Sequence, residues 1–251
     1  MQQSSASRSG LRGRSEGRLT TILPPTTITD VTDARKLVSQ IKRHLEPIEE
    51  KLKAHPYLDA LEKGVIAREK LRLIAGEQYH IINSDLRSIA LLFHRHAHLS
   101  GRDYLLESLQ AEAAARAALL SFAHACDMSE SDVRTYEPLP GCQAYAAYVA
   151  WLGAYGSDAE FAAAFLVNLP AWGAACGRVS SALKSAYGLP ADAVLFFDLF
   201  AKADPSFEEN SLRVIQDGLE RGIDPSLVAR AARLIQAYEL LYWDTLYETS
   251  V

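Results

Sequence analysis

Residues 65–98 read VIAREKLRLIAGEQYHIINSDLRSIALLFHRHAH. Charged Arg68, Glu69 and Lys70 occupy the first half, whereas Ile81, Ile82, Leu86, Ile89, Ala90, Leu91 and Leu92 crowd the second. A helix this apolar has to hide most of its circumference, so it belongs near the centre of a bundle. Ser100-Gly101 breaks it, and residues 102–126 follow as an alanine-rich helix. Alanine at 111, 113, 114, 115, 117 and 118 raises helix propensity and lets neighbouring helices approach closely.

The same pattern extends in both directions. Residues 32–55 carry Leu37, Ile41, Leu45, Ile48 and Leu52 at the three-or-four spacing of an amphipathic helix, with Pro47 expected to kink or divide it. A turn at Pro56 leads through residues 57–63 to Gly64. Glu137-Pro138-Leu139-Pro140-Gly141 is the clearest loop. Helices are expected over 142–154, 158–187, 192–202, 205–221 and 225–248. Gly188 and Pro190 form one stop signal, and Asp204-Pro205 and Asp224-Pro225 read as N-caps followed by proline. Period-two alternation is absent, and so are Asn-Gly and Asp-Gly hairpin turns. The expectation is all-α: one bundle of about seven to eight helices over residues 30–251. Residues 1–29, rich in Ser, Arg and Gly without an apolar h-region, read as a disordered leader rather than a secretory signal or the transit peptide they faintly resemble.

Composition narrows the function. A net charge of −5 and a pI near 5.8 supply no basic field for nucleic acid or anionic lipid, so neither partner is expected. Cys126, Cys142 and Cys176 are too few and too scattered for a disulfide framework or a CxxC metal site, which suits a cytoplasmic setting. No stretch approaches the roughly 18 uninterrupted apolar residues of a membrane span. Apolar helix faces make a homo-oligomer an open expectation.

Three stretches carry a family likeness: GEQYHII at 76–82, within the opening segment, EFAAAFLVNLPAW at 160–172 and YELLYWDTLY at 238–247. In this order and separation they resemble the TenA/thiaminase II and PqqC-like branch of the haem-oxygenase-like superfamily, over roughly residues 30–248. The resemblance implies that fold. It also implies a pocket for a small nitrogenous heterocycle of the thiamine or aminopyrimidine kind, with Glu239 as catalytic glutamate and Glu77 where an aspartate grips the aminopyrimidine. The nucleophilic cysteine of thiaminase II falls on Ala171 and the nearby tyrosine on Ala175. Cys176, five residues beyond Ala171, is rotated about 140° around the helix and cannot simply stand in. What remains is metal-independent hydrolysis or a cofactorless oxidation of the PqqC type, or alternatively a non-catalytic ligand-binding or regulatory protein. The superfamily's di-iron pattern fails: the position seven after Glu112 is Leu119, and residues 225–248 hold no histidine. No motif places an axial haem histidine. No cofactor and no metal are expected.

The residues themselves add candidates. Glu239 shares a helix face with Tyr242 and Trp243, and a carboxyl between aromatic rings has a raised pKa suited to proton transfer. The competing reading is a solvent-facing carboxylate paired with Arg233. Glu77 and His80, with Tyr79 nearby, either line a cavity or form a polar stripe; Asn83 and Asp85 are weaker candidates. Tyr145 and Tyr148 form a possible pocket wall, and Trp172 closes the second family stretch. His94 and His98 stand at the i, i+4 spacing of a metal pair, but beside Arg95 at a helix end they read as a solvated terminus.

Overall fold

The computed structural model describes residues 31–202 and 204–250; the expected leader at 1–29 lies outside them. Helices α1 (Ala34–Lys53), α3 (Leu71–His96), α4 (Arg102–Ala125), α6 (Pro140–Tyr155), α7 (Asp158–Ser185), α9 (Phe207–Glu220) and α10 (Pro225–Ser250) are the seven long elements. Short helices α2 (Pro56–Glu62), α5 (Glu130–Arg134) and α8 (Leu195–Ala201) join them, with single 3-10 turns at Arg68–Lys70 and Ala191–Val194. No strand occurs among the described residues, and the architecture is the all-α bundle expected.

Local chemistry explains most of the boundaries. Asp33 accepts the Lys36 N–H at 2.8 Å to cap α1, and Ser157 and Glu160 form a reciprocal capping box on α7. The sequence reading missed α5, although Ser129-x-x-Asp132 is the same box: Asp132 accepts from the Ser129 N–H at 2.8 Å. One expectation is narrowed and one corrected. Pro47 does not divide α1; it lies on the exposed side, where water can take up the carbonyl that its missing N–H leaves free. Asp204 caps a turn instead of a helix, accepting from the Ser206 N–H at 2.9 Å, and α9 starts at Phe207.

Helix α7 is the hub, packed by α1, α2, α8, α9 and α10. It is long and apolar enough to span a membrane, yet 72% of its most apolar window is buried in the bundle, as befits a core helix. Helix α3 packs on α4 and α6, and α10 closes against α7, α6 and α1. Two apolar cores result. One gathers Tyr57, Phe122, Phe196, Phe197 and Trp243; the other gathers Leu37, Leu45, Phe161, Ile215 and Ile235. Tyr145 and Leu169 pack against both, marking the seam between them.

Close approach of α3 and α6 depends on Gly153, where a Cβ would lie 2.6 Å from the Ser88 carbonyl oxygen. Gly153→Ala is therefore expected to destabilise by about 1–3 kcal/mol and to lower the Tm by several degrees in thermal unfolding, against the usual gain of Ala over Gly in a helix. Gly177→Ala is the control: its Cβ meets only Ala201 at 3.7 Å, so the Tm should hold or rise. Equal effects at both sites would show that the two helices do not meet through Gly153.

Candidate functional site

Six helices send side chains to one point on the seam. Gln78, Ile81, Ile82 and Asp85 of α3 stand at i, i+3, i+4 and i+7, a single stripe on the helix. Phe165, Asn168, Leu169 and Trp172 repeat that spacing on α7. Glu112 of α4, Tyr145 of α6, Phe200 of α8, and Glu239 and Tyr242 of α10 complete the wall around a cavity of about 40 Å³. That exceeds the roughly 10–15 Å³ needed by one water and falls short of the ~150 Å³ of a cavity that takes benzene.

One amide organises the polar side. Asn168 Nδ2 donates to Glu239 Oε2 at 2.5 Å and to Gln236 Oε1 at 3.1 Å, and the Tyr145 hydroxyl donates to Asn168 Oδ1 at 2.9 Å. Gln236 Nε2 donates in turn to the Val167 carbonyl at 3.3 Å. The Trp243 indole N–H donates to Glu239 Oε1, also at 3.3 Å, so both carboxyl oxygens of Glu239 are held. The solvent-facing alternative for Glu239 does not apply, because the residue is only 2% exposed.

Burial sets the protonation. Desolvation pushes Glu239 up to about 8, against the opposing hydrogen bonds from Trp243 and Asn168. Glu112 is pushed up to about 7 by the same cause, and Asp85 rises well above the carboxylate range through burial and the charge of Glu112. The Tyr145 phenol, itself buried, is raised further by Asp85, Glu239 and Glu112, which places its hydroxyl within the field of all three. Asp85 Oδ1 and Glu112 Oε2 are buried without a hydrogen-bond partner among the described residues.

Glu239, Tyr145, Trp172 and Tyr242 thus line the cavity, and Trp243 stands behind Glu239 as its donor. Glu77, His80 and Tyr148 do not line it. Glu77 is turned by 100° from the Gln78 stripe, and its Oε1 accepts from the Tyr136 hydroxyl and the Leu139 N–H, both at 2.8 Å. It ties the loop before α6 to α3, and Gln78 takes the cavity-facing place one residue later. His80 lies off the same stripe, half-buried. Tyr148 packs away from the cavity, its ring parallel to Trp151 at 6.0 Å and 5.2 Å from Tyr238. The sequence reading missed Gln78, Glu112 and Asn168 as lining residues and ranked Asp85 low; the i+3, i+4, i+7 stripes starting at Gln78 and Phe165 were the available signal.

No thiol reaches the cavity. Cys126, Cys142 and Cys176 are all buried, and desolvation raises each, Cys126 up to about 12, so none offers a thiolate at neutral pH. No histidine lines the wall either, so a haem iron has no axial imidazole there. Among the described residues no group of three His, Cys, Asp or Glu side chains is arranged to hold a metal ion. His94 and His98 are exposed at the end of α3.

Residues 42–249 match the sequence pattern of the TENA/THI-4/PQQC family. The chain belongs to that family. Among solved structures it is similar to a TenA homologue from Pseudomonas syringae pv. tomato, at 14% identity and TM-score 0.73, covering 88% of this chain and 98% of that one. A Shewanella denitrificans domain of unknown function with a haem-oxygenase-like fold matches at 19% identity and TM-score 0.67, covering 88% and 94%. Haem oxygenase-1 from the cyanobacterium Synechocystis, solved with haem, matches at 14% identity and TM-score 0.60, covering 85% and 93%. Identities this low establish the shared TenA and haem-oxygenase-like fold alone. No curated protein sequence matches the chain.

The raised carboxyl of Glu239 predicts a pH signature. The folded form holds its proton up to about pH 8 and the unfolded chain only to about 4.5, so this stabilisation is complete below pH 4.5 and is lost as pH rises through 8. Glu239→Gln removes the titration. The difference in unfolding free energy between variant and parent should move in the variant's favour by up to a few kcal/mol between pH 5 and pH 9 in urea titrations. A difference that stays flat over this range would show that Glu239 titrates at its ordinary value.

Proposed function

We propose that the seam cavity binds a small nitrogenous heterocycle of the thiamine or aminopyrimidine kind, and that Glu239 moves a proton on it. One observation carries this reading: a carboxyl pushed up to about 8 is clamped at both oxygens and faces an aromatic-walled cavity. A neutral carboxylic acid can donate to a ring nitrogen, and after ionising it can take a proton from an attacking water. Trp172, Tyr242 and Phe165 supply faces for a planar ring, while Gln78 and Asn168 supply amide groups to read its edge. Since the cavity is smaller than a six-membered ring, entry requires the half-buried Leu169 and Phe200 to move outward. Membership of the TENA/THI-4/PQQC family supports the ligand class, and the chemistry follows from Glu239.

A second reading has its own observation. With Ala171 and Ala175 at the places the family resemblance gives to a cysteine and a tyrosine, and no thiol in the lining, the covalent route of thiaminase II has no nucleophile. A binding protein that holds the heterocycle without transforming it is compatible with the same cavity.

Incubating the protein with thiamine and with its aminopyrimidine breakdown products, followed by chromatography of the mixture, separates the two. We expect product formation that Glu239→Gln lowers by about 10²–10⁴-fold, the usual contribution of general acid–base catalysis. Saturable binding without product would favour the binding protein. Turnover unchanged by the substitution would remove Glu239 from the mechanism.

A further inference from the structure

The pole of the cavity formed by Asp85 and Glu112 is not used by the reading above. Asp85 projects from α3 and Glu112 from α4, two helices packed side by side, and both side chains line the cavity. They are 3% and 9% exposed. Glu112 lies within an alanine-rich stretch, AEAAAR, where a small apolar residue would pack at no electrostatic cost. Neither carboxyl hydrogen-bonds the other, and none of the basic side chains among the described residues forms an ion pair with either. The nearby Arg116, one turn after Glu112, instead lies over the Tyr79 ring at 5.8 Å and reaches its hydroxyl at 3.4 Å.

A buried polar atom without a partner forfeits the hydrogen bonds it had in water, and an acidic one loses the most. Two such atoms facing the same small space make a poor structural device and a good receptor. The other titratable groups of the wall are Tyr145, whose phenol lies in the field of both, Tyr242 and Glu239, so every ionisable side chain lining the cavity is acidic. The missing complement is a donor-rich cation. The aromatic wall of Phe165, Trp172, Tyr242 and Phe200 suits one as well, since ring faces attract cations in a desolvated site.

We infer that Asp85 and Glu112 form a cation-binding subsite, and that the ligand carries an ammonium or amidinium group which docks between them while its ring meets Glu239. The inference rests on the ligand-binding reading of the cavity and narrows it: the ligand has two nitrogenous poles, one of them positively charged. Binding of the cation brings the pair to its ionised form and supplies the hydrogen bonds that Asp85 Oδ1 and Glu112 Oε2 lack.

Benzylamine and benzyl alcohol, equal in size and differing in charge, are suitable probes, with 4-aminopyrimidine as the control heterocycle; affinities are read by calorimetry. We expect benzylamine to bind the native protein at least about tenfold tighter than benzyl alcohol, as one charged hydrogen bond implies. The double variant Asp85→Asn, Glu112→Gln should bring the two probes to within about twofold, by loss of amine affinity alone. Each single variant should shrink the preference severalfold, which keeps the test decisive if the double variant does not fold. Glu239→Gln should weaken both probes together and leave their ratio intact. Equal affinities in the native protein, or a preference that survives both carboxyl substitutions, overturns the inference while leaving the heterocycle cavity standing. Binding of 4-aminopyrimidine without benzylamine overturns it too. Failure of all three probes to bind overturns the cavity reading along with it.

Discussion

The amide of Asn168 holds together the polar seam where the candidate site lies. It sits midway along α7, a helix packed on almost every side, at a depth where an unpaired polar group is costly. Its three hydrogen bonds, to Tyr145, Gln236 and Glu239, fasten α6 and α10 to α7 across the seam between the apolar cores. The seam can remain polar because each buried group there leans on another, with Val167 and Trp243 completing the circuit. An apolar side chain in place of Asn168 would let the two cores merge, and Glu239 would lose the donor that fixes its Oε2. The cavity is thus a consequence of how the helices are joined.

This network also explains why Glu239 differs from the other two acids of the site. All three are buried, and burial raises all three. Glu239 alone has both oxygens engaged by neutral donors, which fix its orientation without supplying a counter-charge. A carboxyl in that state has a defined direction and an available proton, the two properties general acid–base work requires. Asp85 and Glu112 have the opposite arrangement, with free oxygens and no fixed partner, and so retain capacity for a ligand. One cavity therefore holds an oriented acid at one end and a receptive pair at the other.

The bundle was legible in the sequence because hydrophobic period and capping chemistry are local. Leu37 to Leu52 lay out α1, Asp224-Pro225 starts α10, and Gly188, at φ +67°, follows α7 as the stop signal indicates. The site was legible only in part. Glu239, Trp172 and Tyr242 lie in family stretches, and Tyr145 was singled out in an i, i+3 tyrosine pair. The family resemblance put Glu77 in the pocket, yet the helical register decides which side chain faces inward, and 100° per residue sends Glu77 to Tyr136 and Leu139. Glu112 was hidden for a different reason. Within its own alanine-rich segment it stood out only as the start of a failed di-iron pattern, and only the packing of α4 on α3 places it beside Asp85. Such pairings between helices leave no trace in spacing along one of them.

Loss of a thiol at Ala171 therefore does not leave the cavity chemically empty. Covalent catalysis needs an ionised nucleophile, and every cysteine here is buried and held neutral. The carboxyls follow a different logic: desolvation raises Glu112 and brings Glu239 to about 8, a value at which a proton can be given or taken near neutral pH. A site that cannot attack a ring carbon can still protonate a ring nitrogen and hold a cation. Because Asp85 and Glu112 share one small space, ionisation of one raises the cost of ionising the other. A cationic ligand relieves that repulsion, whereas a neutral one leaves it in place. Under the proposed cation subsite, selectivity follows more from the charge of the ligand than from its shape.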